Sequence, residues 1–305
     1  MIRVLLSDGL DKSAIEKLKS LNFEVVDEHY EGEELGEKLK EFDALVVRSA
    51  TKVRVPSIEK AAEGKRLKLI IRGGVGVDNI DVAAAREKSI EVRNTPNASS
   101  ISVAELTLAH MFAVTRFVNI SNVTMRQGLW EKKKYKGTEL YGKTLGLMGF
   151  GRIAKEVAVR ARALGMQVLY TNRKGKIEGF DQYKYCTFDE LLKCSDIISL
   201  HVPYDKTKGT LIGKEQFEMM KDGVYLINCS RGKVVSEEAL LEALNNGKVA
   251  GAGIDVFEEE PTKNKELINH PRVSVTPHIG ASTSEAQKRI GLEVVKILEE
   301  YFIKK

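Results

Sequence analysis

The sequence predicts an α/β protein of two domains, and three observations carry that prediction. Short runs rich in Val, Ile and Leu alternate almost throughout with amphipathic helical stretches, the pattern of parallel strands covered by helices on both faces. With 305 residues and 43% hydrophobic content, the chain can bury the cores of two ordinary domains. Near its middle, Leu145 to Met148 runs straight into a glycine-rich turn and then a helical pattern.

The elements follow in order. Strands are expected at Ile2 to Ser7, Phe23 to Val26, Ala44 to Val47, Leu69 to Ile71 and Glu91 to Arg93, with helices between them such as Ser13 to Leu21. Turn residues Asn94 to Asn97 end this series. Ser99 to about Gln127 reads as one long helix, uninterrupted by proline and closed by Gly128, bridging the two domains. A second series of strands is expected at Thr144 to Met148, Gln167 to Tyr170, Ile197 to Val202, Tyr225 to Cys229, Gly251 to Val256 and Val273 to Thr276. A helix from Arg152 to Leu164 belongs to it, and the series looks doubly wound. The last helix, Thr283 to about Phe302, places Ile290, Val294, Ile297 and Leu298 on one face and is expected to return to the first domain.

Composition narrows the function classes. Lys and Arg number 48 against 43 Asp and Glu, so the net charge of +5 does not imply nucleic acid. The basic runs Lys132 to Lys136 and Lys65 to Lys68 are read as solvated faces or as attractors for an anionic substrate. No uncharged apolar run nears the roughly 20 residues that cross a bilayer, and Met1 to Leu6 is too short for a signal peptide. A cytoplasmic protein without a membrane partner is expected. Cys186, Cys194 and Cys229 lack metal-type spacing and read as buried, inert thiols in a reducing compartment; no metal site is expected.

The segment Gly149-Phe150-Gly151-Arg152-Ile153-Ala154 is a GxGxxA fingerprint between a strand and a helix. Gly149 permits the tight turn, Gly151 admits a pyrophosphate to the backbone, and small Ala154 lets helix pack on strand. The helix N-terminus offers unpaired N–H groups to phosphate. In such folds a carboxylate ending the second strand accepts the ribose hydroxyl of NAD; here the position holds neutral Asn172, followed by Arg173. Arg173 either neutralises the 2′-phosphate of NADP or is a solvated surface residue, so NAD is expected with NADP possible.

Three later strands end in polar groups: Ser230-Arg231-Gly232, Phe257 to Pro261 with three glutamates, and Pro277-His278-Ile279-Gly280. Function in an open parallel sheet sits outside the carboxyl ends of its strands. Oxidising a secondary alcohol requires a base near neutral pKa, and His278, in a turn after a strand, fits best of the five histidines. His29, His110, His201 and His270 read as structural. Glu260 would fix the imidazole tautomer, or belongs with Glu258 and Glu259 to a solvated acidic loop. Arg231, with its rigid fork of donors, suits a bidentate grip on a substrate carboxylate.

Seven ordered motifs, Val46 to Val53 (VVRSATKV), Arg72 to Asn79 (RGGVGVDN), Asn94 to Asn97 (NTPN), the GFGRIA loop, Asn228 to Gly232 (NCSRG), Asp255 to Pro261 (DVFEEEP) and Pro277 to Thr283 (PHIGAST), span essentially the whole chain. With them the sequence resembles the D-isomer-specific 2-hydroxyacid dehydrogenases, and within that family the phosphoglycerate-oxidising branch. The resemblance implies a Rossmann-type doubly wound nucleotide domain, residues 98–279, inserted into a flavodoxin-like α/β substrate domain made of residues 1–97 and 280–305, with the active site in the cleft between them. It implies Arg231 on the substrate carboxylate, His278 as proton donor or acceptor and Glu260 as its partner. Cofactor contacts are implied for Arg152, Ile153, Cys229, Ser230, Asp255, His278, Gly280 and Ala281, beside Gly149, Gly151, Asn172 and Arg173. Val75 and Val202 stand where some relatives carry a hydroxyl residue, and are expected at the cofactor without side-chain hydrogen bonds. Arg48 and the Gly73, Gly74 and Val75 loop would hold the substrate phosphate. The implied reaction is oxidation of D-3-phosphoglycerate to 3-phosphohydroxypyruvate, a step of serine formation, by a homodimer joined through the region around Trp130 and Tyr135. Longer relatives carry a serine-sensing C-terminal module, which a chain ending at Lys305 is expected to lack. Two alternatives stand beside this reading: an NADPH-dependent glyoxylate or hydroxypyruvate reductase, which the Asn172-Arg173 pair would suit, and a dinucleotide-sensing corepressor of the C-terminal binding protein type.

Overall fold

Every strand pairing among the described residues is parallel, and the strands form two separate sheets. The computed structural model describes residues 1–304. The chain divides into two units, Met1–Ser99 with the segment from Ala281, and Ser100–Gly280.

The first unit alternates β1 (Ile2–Leu6), α1 (Lys12–Ser20), β2 (Phe23–Asp27), α2 (Gly32–Leu39), β3 (Ala44–Val47), α3 (Val55–Glu63), β4 (Leu69–Arg72), α4 (Val82–Glu87) and β5 (Glu91–Asn94). Its sheet order is β2-β1-β3-β4-β5, the flavodoxin-like doubly wound arrangement. The strands read as continuous apolar runs because both faces are covered. Val4, Leu6, Ala44, Val46, Leu69 and Ile71 point into one core, while Leu5, Leu45, Val47 and Ile70 point into the other. Each fully buried Val, Leu or Ile side chain among them contributes roughly 1.5–3 kcal/mol.

The second unit begins with α5 (Ser100–Thr115) and α6 (Val118–Arg126). It continues through β6 (Thr144–Met148), α7 (Arg152–Ala163), β7 (Gln167–Thr171), β8 (Lys184–Tyr185), α8 (Phe188–Cys194), β9 (Ile197–Leu200) and α9 (Lys214–Met219). It closes with β10 (Val224–Asn228), α10 (Glu237–Asn245), β11 (Val249–Ile254), α11 (Lys265–Asn269) and β12 (Val273–Val275). Strand order β12-β11-β10-β9-β6-β7-β8 reverses direction between β9 and β6, the switch point at which dinucleotides bind in such sheets. On β11, Gly251 and Gly253 lie two apart on one face, where an added Cβ would come within 3.2 Å of Val114 and 2.5 Å of His110. Those two residues are four apart on α5, so the glycines let one stripe of that helix lie directly on the strand. The chain then returns to the first unit as α12 (Ser284–Phe302), capped by the Thr283 side chain on the Ala286 amide. Ile290, Val294, Ile297 and Leu298 are buried there, as their spacing predicted.

Two expectations are corrected. The single helix from Ser99 to Gln127 is two helices bent by 64°, because Phe117 takes the left-handed conformation at φ 56° and packs its ring on Tyr135 at 5.9 Å. A left-handed phenylalanine leaves no sequence signal comparable to Gly or Pro. Cys194 is exposed, unlike Cys186 and Cys229, because it ends α8 on the solvent side. No single helix among the described residues is long and apolar enough to cross a membrane, although α5 and α6 meet that test as a bent pair.

Candidate active site

The loops after β10, β11 and β12, three adjacent parallel strands, carry Arg231, Glu260 and His278. Buried side chains shape the loops after β10 and β12. Asn228 accepts from the Ser230 amide at 3.0 Å and its hydroxyl at 2.8 Å, and donates to the Arg231 carbonyl at 2.9 Å, turning the chain after β10. Gly232 then presses on the next loop: a Cβ there would lie 1.9 Å from the Phe257 carbonyl carbon, so no side chain fits. Asp255 is 1% exposed. Its carboxylate accepts from the Thr276 hydroxyl at 2.6 Å, the Ile279 amide at 2.8 Å and the Gly280 amide at 2.9 Å, folding the loop after β12 back on itself.

That fold leaves His278 at φ 54°, a left-handed conformation costing a non-glycine residue roughly 1–3 kcal/mol and typical of functional positions. Its Nδ1 faces Glu260 Oε2 at 2.7 Å, and Glu260 Oε1 accepts from the Phe257 amide at 3.1 Å. Burial pushes the Glu260 carboxyl up, but the His278 hydrogen bond and charge, the Phe257 amide and the Arg231 charge outweigh it. The net result lies below the ordinary value. An ionised Glu260 selects the Nδ1–H tautomer of His278 and turns Nε2 to the substrate. Glu258 and Glu259 serve elsewhere: the Glu258 carboxylate accepts from the Glu237 amide at 2.9 Å and Glu259 pairs with Lys263.

The glycine-rich turn follows β6. Gly149 has φ 85°, and a Cβ on it would lie 2.5 Å from the His201 carbonyl oxygen and 3.0 Å from Val202. Gly151 caps α7 with nothing within 4 Å of a built Cβ, so the backbone there is open to a ligand at the helix N-terminus. Arg152 is exposed, Ile153 partly buried and Ala154 buried. The residues present therefore fit a pyrophosphate. Asn172 and Arg173 follow β7, which pairs with β6 in register; Arg173 is exposed, and its charge reaches Asp205. Burial pushes the Cys229 thiol up to about 12. Burial likewise pushes His201 down to about 3, and Ser199 meets its Nε2 at 3.0 Å.

In the first unit, Arg48 follows β3. Asp8 accepts from the Arg48 amide at 2.6 Å and from the Thr51 amide and hydroxyl, while Asn79 donates to the Arg48 carbonyl at 2.9 Å and the Thr51 carbonyl at 2.7 Å. Gly73 donates to the Val47 carbonyl at 2.8 Å. Gly74, at φ 150°, has the Arg72 guanidinium where a Cβ would stand. Val75 is exposed and its carbonyl accepts from Asn94. Ala281, at the start of the returning segment, accepts from Gln287 at 2.6 Å.

Asp8, Asn79 and Asn228, whose hydrogen bonds shape the loops that carry Arg48 and Arg231, are not among the site residues expected from the sequence. Their signal was weak: each is a single polar residue in a loop or at a strand end, with no spacing that marks it.

A family model described as the D-isomer specific 2-hydroxyacid dehydrogenase NAD binding domain matches residues 108–280. A hydroxypyruvate reductase of Thermotoga maritima is 48% identical over 98% of both chains. A D-3-phosphoglycerate dehydrogenase of Methanocaldococcus jannaschii is 45% identical over 98% of this chain, which spans 57% of that relative's length. Among solved structures, a glyoxylate reductase from Paecilomyes thermophila superposes with a TM-score of 0.90 at 35% identity, covering 99% of this chain and 96% of that one.

Proposed function

The chain belongs to the D-isomer specific 2-hydroxyacid dehydrogenase family, and from that premise we propose that it interconverts D-3-phosphoglycerate and 3-phosphohydroxypyruvate with NAD, a step of serine formation. The observation that carries a dehydrogenase reading is the 2.7 Å bond between His278 and an ionised Glu260 beside Arg231. When bound, NAD supplies the hydride acceptor. Gly149, Gly151, Arg152 and Ile153 would hold it, with Asn172 toward the ribose. Arg231 orients the substrate carboxylate through charge-assisted hydrogen bonds. His278 Nε2 takes the hydroxyl proton during oxidation and returns it to the carbonyl oxygen during reduction. Glu260 holds the imidazole in register through the Nδ1 bond.

Arg48, clamped by Asp8 and Asn79 beside the Gly73 to Val75 loop, supports a phosphorylated acid as the substrate. A second reading, reduction of hydroxypyruvate or glyoxylate, draws support from Arg173 beside a neutral Asn172, which admits NADP. Steady-state assays of D- and L-isomers of 3-phosphoglycerate and glycerate, and of glyoxylate, with each cofactor test both. Activity confined to D-isomers and highest for the phosphorylated acid supports the first reading; preferential glyoxylate reduction with NADPH supports the second; no D-isomer activity contradicts both.

We further propose that a second copy covers the face of α6. That helix buries no residue, and Val118, Val123, Met125, Leu129 and Trp130 are exposed on or just after it.

A further inference from the structure

His110 lies in the middle of α5, is 2% exposed, and faces two hydroxyls on β12 and its loop: Nδ1 meets Ser274 Oγ at 3.0 Å and Nε2 meets Thr276 Oγ1 at 3.0 Å. The direction of each bond can be worked out. The Asp255 carboxylate only accepts, so at 2.6 Å the Thr276 hydroxyl must donate to it. Thr276 Oγ1 has one proton, so toward His110 it accepts, and His110 Nε2 carries the N–H. Burial holds the His110 imidazole below its ordinary value, against the pull of the Asp255 charge. The neutral ring therefore accepts at Nδ1 from Ser274. A single ordered chain results, running Ser274 to His110 to Thr276 to Asp255, and Asp255 in turn receives the Ile279 and Gly280 amides.

This chain reaches the residues on either side of the strained His278 backbone. Thr276 accepts the His278 amide through its carbonyl at 3.0 Å, while Asp255 holds the two amides that follow. Gly253 keeps β11 clear of the ring, since a Cβ there would stand 2.5 Å from His110 Cβ. An apolar residue at 110 would fill the space, but would leave Thr276 free to rotate away from Asp255.

We propose that His110 is a positioning residue for the catalytic loop: it orients Thr276, which with Asp255 fixes the Ile279–Gly280 turn and so the place of His278. The inference rests on His278 being the proton-transfer group. The experiment therefore has one arm that needs no substrate, amide hydrogen exchange at Ile279 and Gly280, and one arm that reads turnover. In His110→Phe and Thr276→Val, exchange at both amides should quicken. Turnover should fall about 10- to 100-fold with KM little changed, the scale expected for a reacting group displaced by about 1 Å. The double variant should be no worse than either single one, because both break the same chain. His110→Gln, which keeps a donor toward Thr276, and Thr276→Ser, which keeps the hydroxyl, should stay within about 3-fold of wild type. Unchanged exchange in His110→Phe and Thr276→Val overturns the proposal, as does quickened exchange with undiminished turnover. Should His110→Phe fail to fold, the Thr276 pair carries the same test. A wild type that oxidises no 2-hydroxy acid would refute the functional reading, and the exchange arm would still decide whether His110 anchors the turn.

Discussion

A histidine held in the left-handed region beside an ionised glutamate is a costly arrangement, and its cost identifies the residues that matter. His278→Ala should lower turnover by roughly 10²- to 10⁴-fold while leaving the dinucleotide dissociation constant nearly unchanged, because the ring is not part of the phosphate cradle. Steady-state and binding measurements check this, and turnover at the wild-type rate would contradict it. Glu260 adds a pH dependence of definite sign. Its folded value lies below its ordinary one, so its stabilisation is complete above the unfolded value and disappears as pH falls through the folded one. Thermal unfolding of wild type and Glu260→Gln should therefore differ by a constant amount near neutrality, and the gap should close as pH falls through the lowered value of the folded carboxyl. A gap that widens on acidification would reverse the assignment.

At the scale of elements, the two glycines of the nucleotide turn do different things. Gly149 needs both its positive φ and its missing Cβ, since the His201 carbonyl oxygen stands 2.5 Å from where that atom would be. Gly151 has ordinary backbone angles and nothing within 4 Å. Gly149→Ala should destabilise the fold by about 1–3 kcal/mol as well as weaken dinucleotide binding. Gly151→Ala should leave the melting temperature almost unchanged and weaken binding alone; equal losses of stability in both would refute the distinction. The strands were legible in the sequence as short continuous apolar runs, and the final helix because a period of 3.6 repeats over many residues. Val4 to Leu6 fills the cores on both sides of the sheet, and the Ile290, Val294, Leu298 stripe encodes one helix face. The bend at Phe117 was not legible, being a single dihedral fixed by a ring contact with Tyr135. Nor was His110, which looks like any polar residue in an apolar helix until Ser274 and Thr276, far along the chain, are brought against it.

For the whole molecule, the site residues were readable from motifs, buried Asp255 among them, whereas the hydrogen bonds of Asp8, Asn79 and Asn228 that set loop geometry were not. Cofactor choice and assembly are properties of this scale. Asn172→Asp should weaken NADP binding by about 1–3 kcal/mol through repulsion while sparing NAD; a wild type already strictly selective for NAD would show that Asn172 and Arg173 do not set the choice. Replacing Val123 or Met125 by Lys on the exposed face of α6 should shift the mass measured by light scattering from dimer toward monomer, and a wild-type monomer would contradict the proposed contact. The central claim, that a phosphorylated D-2-hydroxy acid is the substrate and Arg48 its phosphate ligand, is tested most directly by one ratio: kcat/KM for D-3-phosphoglycerate over kcat/KM for D-glycerate, in wild type and in Arg48→Ala. The ratio should be well above one in wild type and fall by roughly 10- to 100-fold in the variant, the loss expected for one charge-assisted contact; a wild-type ratio below one, or a ratio unmoved by the substitution, would contradict the account.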